Sequence, residues 1–163
     1  MRALVLLSPV VMALSLTACG DETTIESGAP DAGTGSGDSD TPRGPELGGV
    51  DLAGQVSLTG TEPFWGVRMD GAELIYSGVD RPEQRAPRPE PVLMGTVATW
   101  TTETAQGAPL TVTLMETECS DGMSDRTYPL TARVEIAGEV LNGCAASTAW
   151  MMSTGEDGQP REG

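Results

Sequence analysis

The sequence predicts an all-β fold, a small antiparallel β-barrel or meander of about seven to eight strands that follows a disordered N-terminal tether. Three observations support this prediction. Apolar residues recur at every second position in the central part of the chain, turn dipeptides separate these segments, and no window shows sustained helical periodicity. All the aromatic residues lie between positions 64 and 150, which predicts a domain over residues 51–153.

The predicted strands are alternating or β-branched segments, in chain order residues 56–58, 65–69, 74–76, 92–102, 110–115, 128–136, 140–141 and 149–152. Asp70-Gly71 between two of them is typical of a type I′ hairpin turn. We favour a closed barrel over a sandwich, because a domain of this size has few other ways to cover its strand edges.

One segment interrupts the strand pattern. Residues 81–91 contain four prolines, which predicts a surface loop that is partly polyproline II. The loop also holds Arg81, Arg85 and Arg88, the only basic concentration in the chain. We interpret it as a solvated loop; the alternative is a contact with an acidic partner.

Charge and composition exclude several classes of function. The net charge is −15, and the chain contains neither Lys nor His. Such an acidic protein is unsuited to binding nucleic acid, whose phosphates require clustered bases. Without His there is neither a Ser-His-Asp triad nor an imidazole ligand for a metal.

The N-terminus predicts export and a lipid anchor. Arg2 is followed by apolar residues 3–16, too short for a membrane span of about twenty residues but typical of a signal peptide over residues 1–18. Leu16-Thr17-Ala18-Cys19 resembles the bacterial lipobox, which implies cleavage before Cys19 and attachment of fatty chains such as palmitate. Two or three such chains anchor a protein stably. The alternatives are an ordinary secretory signal cleaved after Ala18, or a buried hydrophobic helix.

The two flanks of the domain are predicted to be unstructured. Residues 19–50 are mainly Gly, Pro, Ser, Thr, Asp and Glu, and too few apolar residues are present to offset the entropy of ordering. We interpret this segment as an acidic tether that holds the domain away from the membrane. Residues 154–163 have the same character and predict a flexible C-terminal tail.

The two remaining cysteines, Cys119 and Cys144, are an even pair in an exported chain, which predicts a disulfide. Closing this loop is worth about 3–4 kcal/mol in the chain-entropy model. The alternative is a redox or metal pair. Their spacing is not that of a Cys-x-x-Cys motif, and two thiolates without His make a poor zinc site.

Two stretches resemble a known family. They are Gly-Thr-Glu-Pro-Phe-Trp-Gly-Val at residues 60–67 and Cys-Ser-Asp-Gly-Met-Ser-Asp-Arg-Thr-Tyr-Pro at residues 119–129, the latter with Leu-Asn-Gly-Cys-Ala at residues 141–145. Together they are similar to a family of uncharacterised bacterial envelope lipoproteins. Such domains resemble in kind the META (HslJ-like) domain and the membrane-bound lysozyme inhibitors. The resemblance covers about residues 55–146 and implies an envelope β-domain without an assigned activity.

The first stretch supplies two candidate binding residues. In a functional interpretation, Trp65 stacks on a sugar or apolar ligand and Glu62 hydrogen-bonds to it. In the structural interpretation that we favour, Phe64 and Trp65 fill the core and Glu62 pairs with Arg68 or Arg126.

The second stretch supplies the other candidates, Asp121, Asp125 and Arg126. Asp121 and Asp125, with two neighbouring serines, offer oxygens of the kind that Ca²⁺ prefers. Their spacing is not that of an EF-hand loop, and Asx turns explain the same residues. We therefore expect no metal and no other cofactor.

These observations predict a lipid-anchored cell-envelope lipoprotein, on the inner or outer membrane, with a non-catalytic binding or structural β-domain that faces the periplasm. Its expected partners are the membrane, through the lipid, and an envelope protein; no nucleic acid is expected. One alternative is an inhibitor of a cationic hydrolase such as lysozyme, which the acidic charge would steer. A second is a hydrolase that uses two carboxylates, with Glu62 or Asp121 required for turnover.

Overall fold

The computed structural model describes residues 44–161. The predicted signal peptide, the Cys19 lipidation site and residues 19–43 of the predicted tether lie outside these residues. Within residues 44–161, no helix has the length and hydropathy needed to cross a membrane.

The described residues form eleven strands and one short helix. In chain order these are β1 (Glu46–Leu47), β2 (Val50–Asp51), β3 (Val56–Thr61), β4 (Phe64–Asp70), β5 (Glu73–Gly78), β6 (Gln84–Pro87), β7 (Val92–Met94), β8 (Val97–Glu103), β9 (Pro109–Met115), β10 (Leu130–Ile136), β11 (Glu139–Ser147) and α1 (Thr148–Ser153).

Nine strands make one antiparallel sheet in the order β6-β5-β4-β3-β11-β10-β9-β8-β7, and β1 pairs with β2 separately. This confirms the predicted all-β antiparallel fold. The sheet curls as a half-barrel, and at one end the N–H of Ala105, in the β8–β9 turn, donates to the carbonyl of Arg85 on β6 (2.8 Å). The fold is therefore a half-barrel of one curled sheet, neither a sandwich nor the expected barrel closed by pairing between its edge strands β6 and β7.

The core fills the inner face of the curl. Along β10 the residues alternate strictly, with Leu130, Ala132, Val134 and Ile136 fully buried. Trp100 on β8 and Met69 on β4 are also fully buried. Alternation of apolar and polar residues thus decides which face of each strand enters the core.

The predicted boundary between tether and domain at residue 50 is wrong. Leu47, Val50 and Leu52 belong to the main hydrophobic core. Arg88 fixes this segment, because its guanidinium donates hydrogen bonds to the carbonyls of Leu52 and Gly54. Burial lowers the pKa of Arg88, and carbonyl acceptors compensate the buried charge.

The remaining arginines of the proline-rich segment also have internal partners. Arg81 pairs with Glu139 and lies over the ring of Tyr76, 5.6 Å from its centroid. Arg85 pairs with Glu73 and Glu83. The segment is not a loop throughout, since residues 84–87 form β6 with Ala86 buried. An edge strand tolerates Pro at its end, because the missing N–H faces away from the sheet.

Two other predicted strands differ from the structure. Residues 92–102 do not form one strand but a hairpin, β7 and β8, with Gly95 in the turn (φ 59°). Residues 149–152, predicted as a strand, lie in α1, whose N-terminus is capped by the Ser147 hydroxyl, an acceptor for the N–H of Trp150 (3.2 Å).

The C-terminal segment is packed on the domain as far as it is described. Thr154 is buried and pairs with Pro160, and the N–H of Arg161 donates to the carbonyl of Ser153 (2.7 Å). The prediction of a flexible tail is therefore wrong for residues 154–161, because these backbone groups have partners within the domain.

Candidate functional site

The two motif stretches, residues 60–67 and residues 119–129 with 141–145, meet on the outer face of the sheet. β3 pairs with both β4 and β11, which places Thr59 opposite Cys144 and Thr61 opposite Phe64. The β9–β10 loop then reaches back, and the hydroxyl of Thr61 donates to the backbone carbonyl of Asp121 (3.2 Å). Segments about sixty residues apart in the chain thus build one surface.

An open groove of about 740 Å³ lies where these segments meet. Its lining comes from the β3–β4 turn, the β9–β10 loop and β11, and comprises Thr61, Glu62, Phe64, Ser120, Asp121, Gly122, Met123 and Asn142. The groove combines apolar side chains with hydroxyl, amide and carboxylate groups. Such a mixture is usual for ligand-binding surfaces.

A disulfide fixes the loop side of the groove. Cys119 and Cys144 are bonded, with their Cα atoms 5.4 Å apart, which confirms the predicted pairing. Cys119 and Tyr128 also exchange two backbone hydrogen bonds (3.0 and 2.8 Å), so the loop closes on itself. Tyr128 packs in a small second core on the outer face, with its ring centroid 5.4 Å from that of Trp150.

Trp65 is not part of the groove. Its side chain is only 4% exposed, so the stacking role considered for it is wrong and the expectation that Trp65 fills the core is confirmed. The indole lies on two glycines, since a Cβ atom added to Gly60 would be 2.1 Å from Trp65 Nε1 and one added to Gly143 would be 2.9 Å from Trp65 Cζ2. These glycines make room for the ring in the inner face of the sheet.

Phe64 is the aromatic residue that the groove exposes. Trp65 points inward, and the side chain before it on the strand must point outward, so Phe64 is 54% exposed. The prediction that Phe64 fills the core is therefore wrong. Val79, another exposed apolar residue, lies beside it, and its N–H donates to the Phe64 carbonyl (3.2 Å).

Glu62 is exposed at the rim of the groove, as the functional interpretation expects. Within residues 44–161 it forms no ion pair, so the predicted partnership with Arg68 or Arg126 is wrong. Glu62 thus presents its carboxylate to solvent at the turn between β3 and β4.

Asp121 lines the groove but holds the loop together. Its Oδ1 accepts from the backbone N–H groups of Met123 (2.9 Å) and Ser124 (2.8 Å), and its Oδ2 accepts from the hydroxyls of Ser124 and Tyr128 (both 2.8 Å). Partial burial raises the pKa of Asp121, but these hydrogen bonds outweigh it and lower the pKa from 3.8 to about 2. The carboxylate is therefore ionised at neutral pH.

Asp125 and Arg126 belong to a different contact. Arg126 donates to the carbonyls of Thr154 (2.7 Å) and Gly155 (2.9 Å), and the N–H of Asp125 donates to the carbonyl of Glu156 (2.8 Å). Both residues thus tie the loop to the C-terminal segment, and neither lines the groove. Among residues 44–161, no three acidic or Cys side chains are placed to hold a metal ion.

Sequence reasoning missed Phe64, Met123 and Asn142 as groove residues. The signal for Phe64 was present, since the alternation that turns Trp65 inward requires Phe64 to point outward. Met123 and Asn142 carried no such signal, because only tertiary folding of the loop onto β11 brings them together.

The sequence matches no protein-family model, and comparisons with curated proteins and with solved structures find no similar chain. The resemblance to envelope lipoproteins therefore stays a prediction from the two motifs.

Proposed function

We propose that this protein is a lipid-anchored envelope lipoprotein whose β-domain is a non-catalytic binding module, with the groove around Phe64 as its binding surface. The observation that carries the proposal is the convergence of both motif stretches on this groove. Packing of the core does not require the exposed side chains of Phe64 and Met123, which both line the groove.

Two features support the location. Leu16-Thr17-Ala18-Cys19 has the pattern of a lipobox, so Cys19 would carry the lipid and the membrane would be the first partner. The Cys119–Cys144 disulfide suits an oxidising compartment outside the cytosol, such as the periplasm. Whether the inner or outer membrane holds the anchor does not affect the rest of the proposal.

The groove favours binding over catalysis. A carboxylate pair that cleaves a glycoside needs one carboxyl group with a raised pKa to act as the acid. Asp121 has the opposite shift, and both of its oxygens already accept two hydrogen bonds each. Phe64, Glu62 and Asn142 instead suit a ligand with an apolar or sugar face and hydrogen-bond donors at its edge.

The test compares capture of envelope components by the full chain and by two variants. Phe64→Ser removes the exposed ring from the groove, whereas Val140→Ser removes an exposed apolar side chain that does not line it. We expect the components that the native chain captures to be lost with Phe64→Ser and retained with Val140→Ser. Identical sets of captured components for all three proteins would reject the groove as the binding surface.

A second candidate, an inhibitor of a cationic hydrolase such as lysozyme, is favoured by charge. The groove presents the Glu62 and Asp121 carboxylates, and the whole chain carries −15. Charge of this kind speeds association with a basic enzyme and makes it sensitive to salt. Titrating lysozyme with the protein tests this candidate: inhibition that Glu62→Gln weakens would support it. No inhibition at micromolar protein would exclude it.

A further inference from the structure

The two edges of the large sheet differ in their protection. The β6 edge carries the charged side chains of Arg85 and, just before the strand, Glu83, which disfavour pairing with another strand. The N–H of Ala105 also donates a hydrogen bond to the Arg85 carbonyl. On the β7 side, Val92, Leu93 and Met94 are 64%, 46% and 74% exposed. Exposed apolar edge strands are templates for pairing with another strand.

Among residues 44–161, the backbone of β7 leaves one residue, Leu93, free to pair with another strand. Met94 and Val97 flank a two-residue turn that begins with Gly95 at φ 59°, as a type II′ turn requires, and such flanking residues are hydrogen-bonded to each other. Since hydrogen-bonded and non-hydrogen-bonded pairs alternate, the N–H and C=O of Leu93 point away from β8. Pro91, before the strand, has no N–H.

The side chains of β7 are complementary to a second β7 that runs antiparallel to it. With Leu93 opposite Leu93 of the second copy, Val92 lies opposite Met94 of that copy, and Met94 opposite its Val92. Leu93 is in register with buried Ala98, so the two leucines meet on the inner face and the Val–Met pairs lie on the outer face.

Charge does not oppose this pairing. Residues 91–102 contain no charged side chain, although the chain as a whole carries −15. Like charges directly opposite each other would destabilise a strand pair, and this hairpin has none to place there. Both the edge geometry and the local charge therefore suit a second copy of the same hairpin.

We propose that β7 is a self-association edge, through which two copies of this chain pair antiparallel about Leu93 and continue the sheet from one molecule into the other. The contact is isologous, since each copy supplies the same residues to the other. A three-residue strand makes a small interface, so the association is weak and concentration-dependent. The proposal does not depend on what the groove binds.

The test uses the absence of lysine from the chain. In the full-length V92K/M94E variant, the ammonium introduced at position 92 of one copy faces the carboxylate introduced at position 94 of the other copy. The antiparallel dimer contains two such pairs, both on the outer face. A carbodiimide, which joins an amine to a carboxylate only in direct contact, then couples the two copies. We expect a covalent dimer in this variant, and both substituted positions are exposed enough to leave the fold intact.

Two controls make the result specific. V92K/M94Q keeps the amine and the shape of the side chain but removes the facing carboxylate, and Val140→Lys places the amine on an exposed position of β11. Both should lose the dimer, while circular dichroism shows that all three variants keep their β-structure. A dimer of equal amount in either control, no dimer in V92K/M94E, or coupling only to a different protein would overturn the proposal.

Discussion

Two glycines set the position of the largest side chain near the groove. A Cβ atom on Gly60 would lie 2.1 Å from Trp65 Nε1, and one on Gly143 would lie 2.1 Å from the backbone oxygen of Thr59. Neither contact is relieved by rotating a flexible side chain. Gly60 and Gly143, one from each motif stretch, therefore have a packing role, whereas Phe64 and Glu62 are exposed at the groove.

We predict that Gly60→Ala lowers the free energy of unfolding by about 1–3 kcal/mol, because the added methyl group displaces the Trp65 indole. Gly66→Ala is the matched control on the neighbouring strand, since its Cβ would come no closer than 3.4 Å to any neighbour. Denaturant unfolding of the two variants measures the difference. Equal midpoints would show that the indole does not rest on Gly60.

Asp121→Asn tests the carboxylate that organises the loop. The folded-state pKa of about 2 lies below the ordinary 3.8, so ionised Asp121 stabilises the fold above pH 4 and this contribution is lost as the pH falls towards 2. We expect the variant to be less stable by about 1 kcal/mol at pH 7, a figure discounted because the side chain is partly exposed. A pH series of unfolding midpoints should show the two proteins converging in acid; a constant gap would contradict the assignment.

The roles of the candidate residues could be predicted from the sequence only in part. The pairing of Cys119 with Cys144 followed from the number of cysteines and the predicted signal peptide alone. Asp121 was a candidate binding residue for which an Asx turn was the alternative, and its bond from the Met123 N–H confirms that turn, whereas its bond from the Tyr128 hydroxyl was not visible from spacing. Arg126 was placed at the wrong contact, because its carbonyl acceptors belong to a segment predicted to be unstructured.

At the scale of elements, the β9–β10 loop depends on the disulfide. The Cys119–Cys144 bond closes a loop of 25 residues and attaches it to β11 beside the groove. We predict that Cys119→Ser/Cys144→Ser lowers the stability by about 3–4 kcal/mol, through the greater freedom of the unfolded chain. Thermal unfolding of the native protein with and without reductant checks this. Equal melting temperatures would contradict it.

The predicted strands are confirmed where apolar and polar residues alternate without interruption. The segments around β4, β9 and β10 alternate over their length, and the structure has strands there. The prediction of one strand over residues 92–102 was wrong because the alternation of side chains continues in step through the two-residue turn at Gly95. The prediction of a strand over residues 149–152 was wrong because a helix of six residues is too short to show its period in the sequence.

At the scale of the whole molecule, the domain begins earlier and ends later than composition predicts. Gly- and Pro-rich residues 44–50 contribute Leu47 and Val50 to the core, and residues 154–161 are held by Arg126. The composition of a segment is an average over many residues, whereas the burial of only two apolar side chains is enough to hold a short segment on the domain. A fragment cut at the predicted boundary of residue 51 would lack β1 and both of these side chains.

The proposed function requires this domain to lie outside the cytosol, attached to a membrane through a lipid on Cys19. The intact mass of the protein isolated from membranes tests this most directly. We predict a chain that starts at Cys19, carries the mass of a diacylglyceryl group, and lacks the two hydrogens removed by the Cys119–Cys144 bond. A chain that starts at an unmodified Met1, or one in which both of these thiols are free, would contradict it.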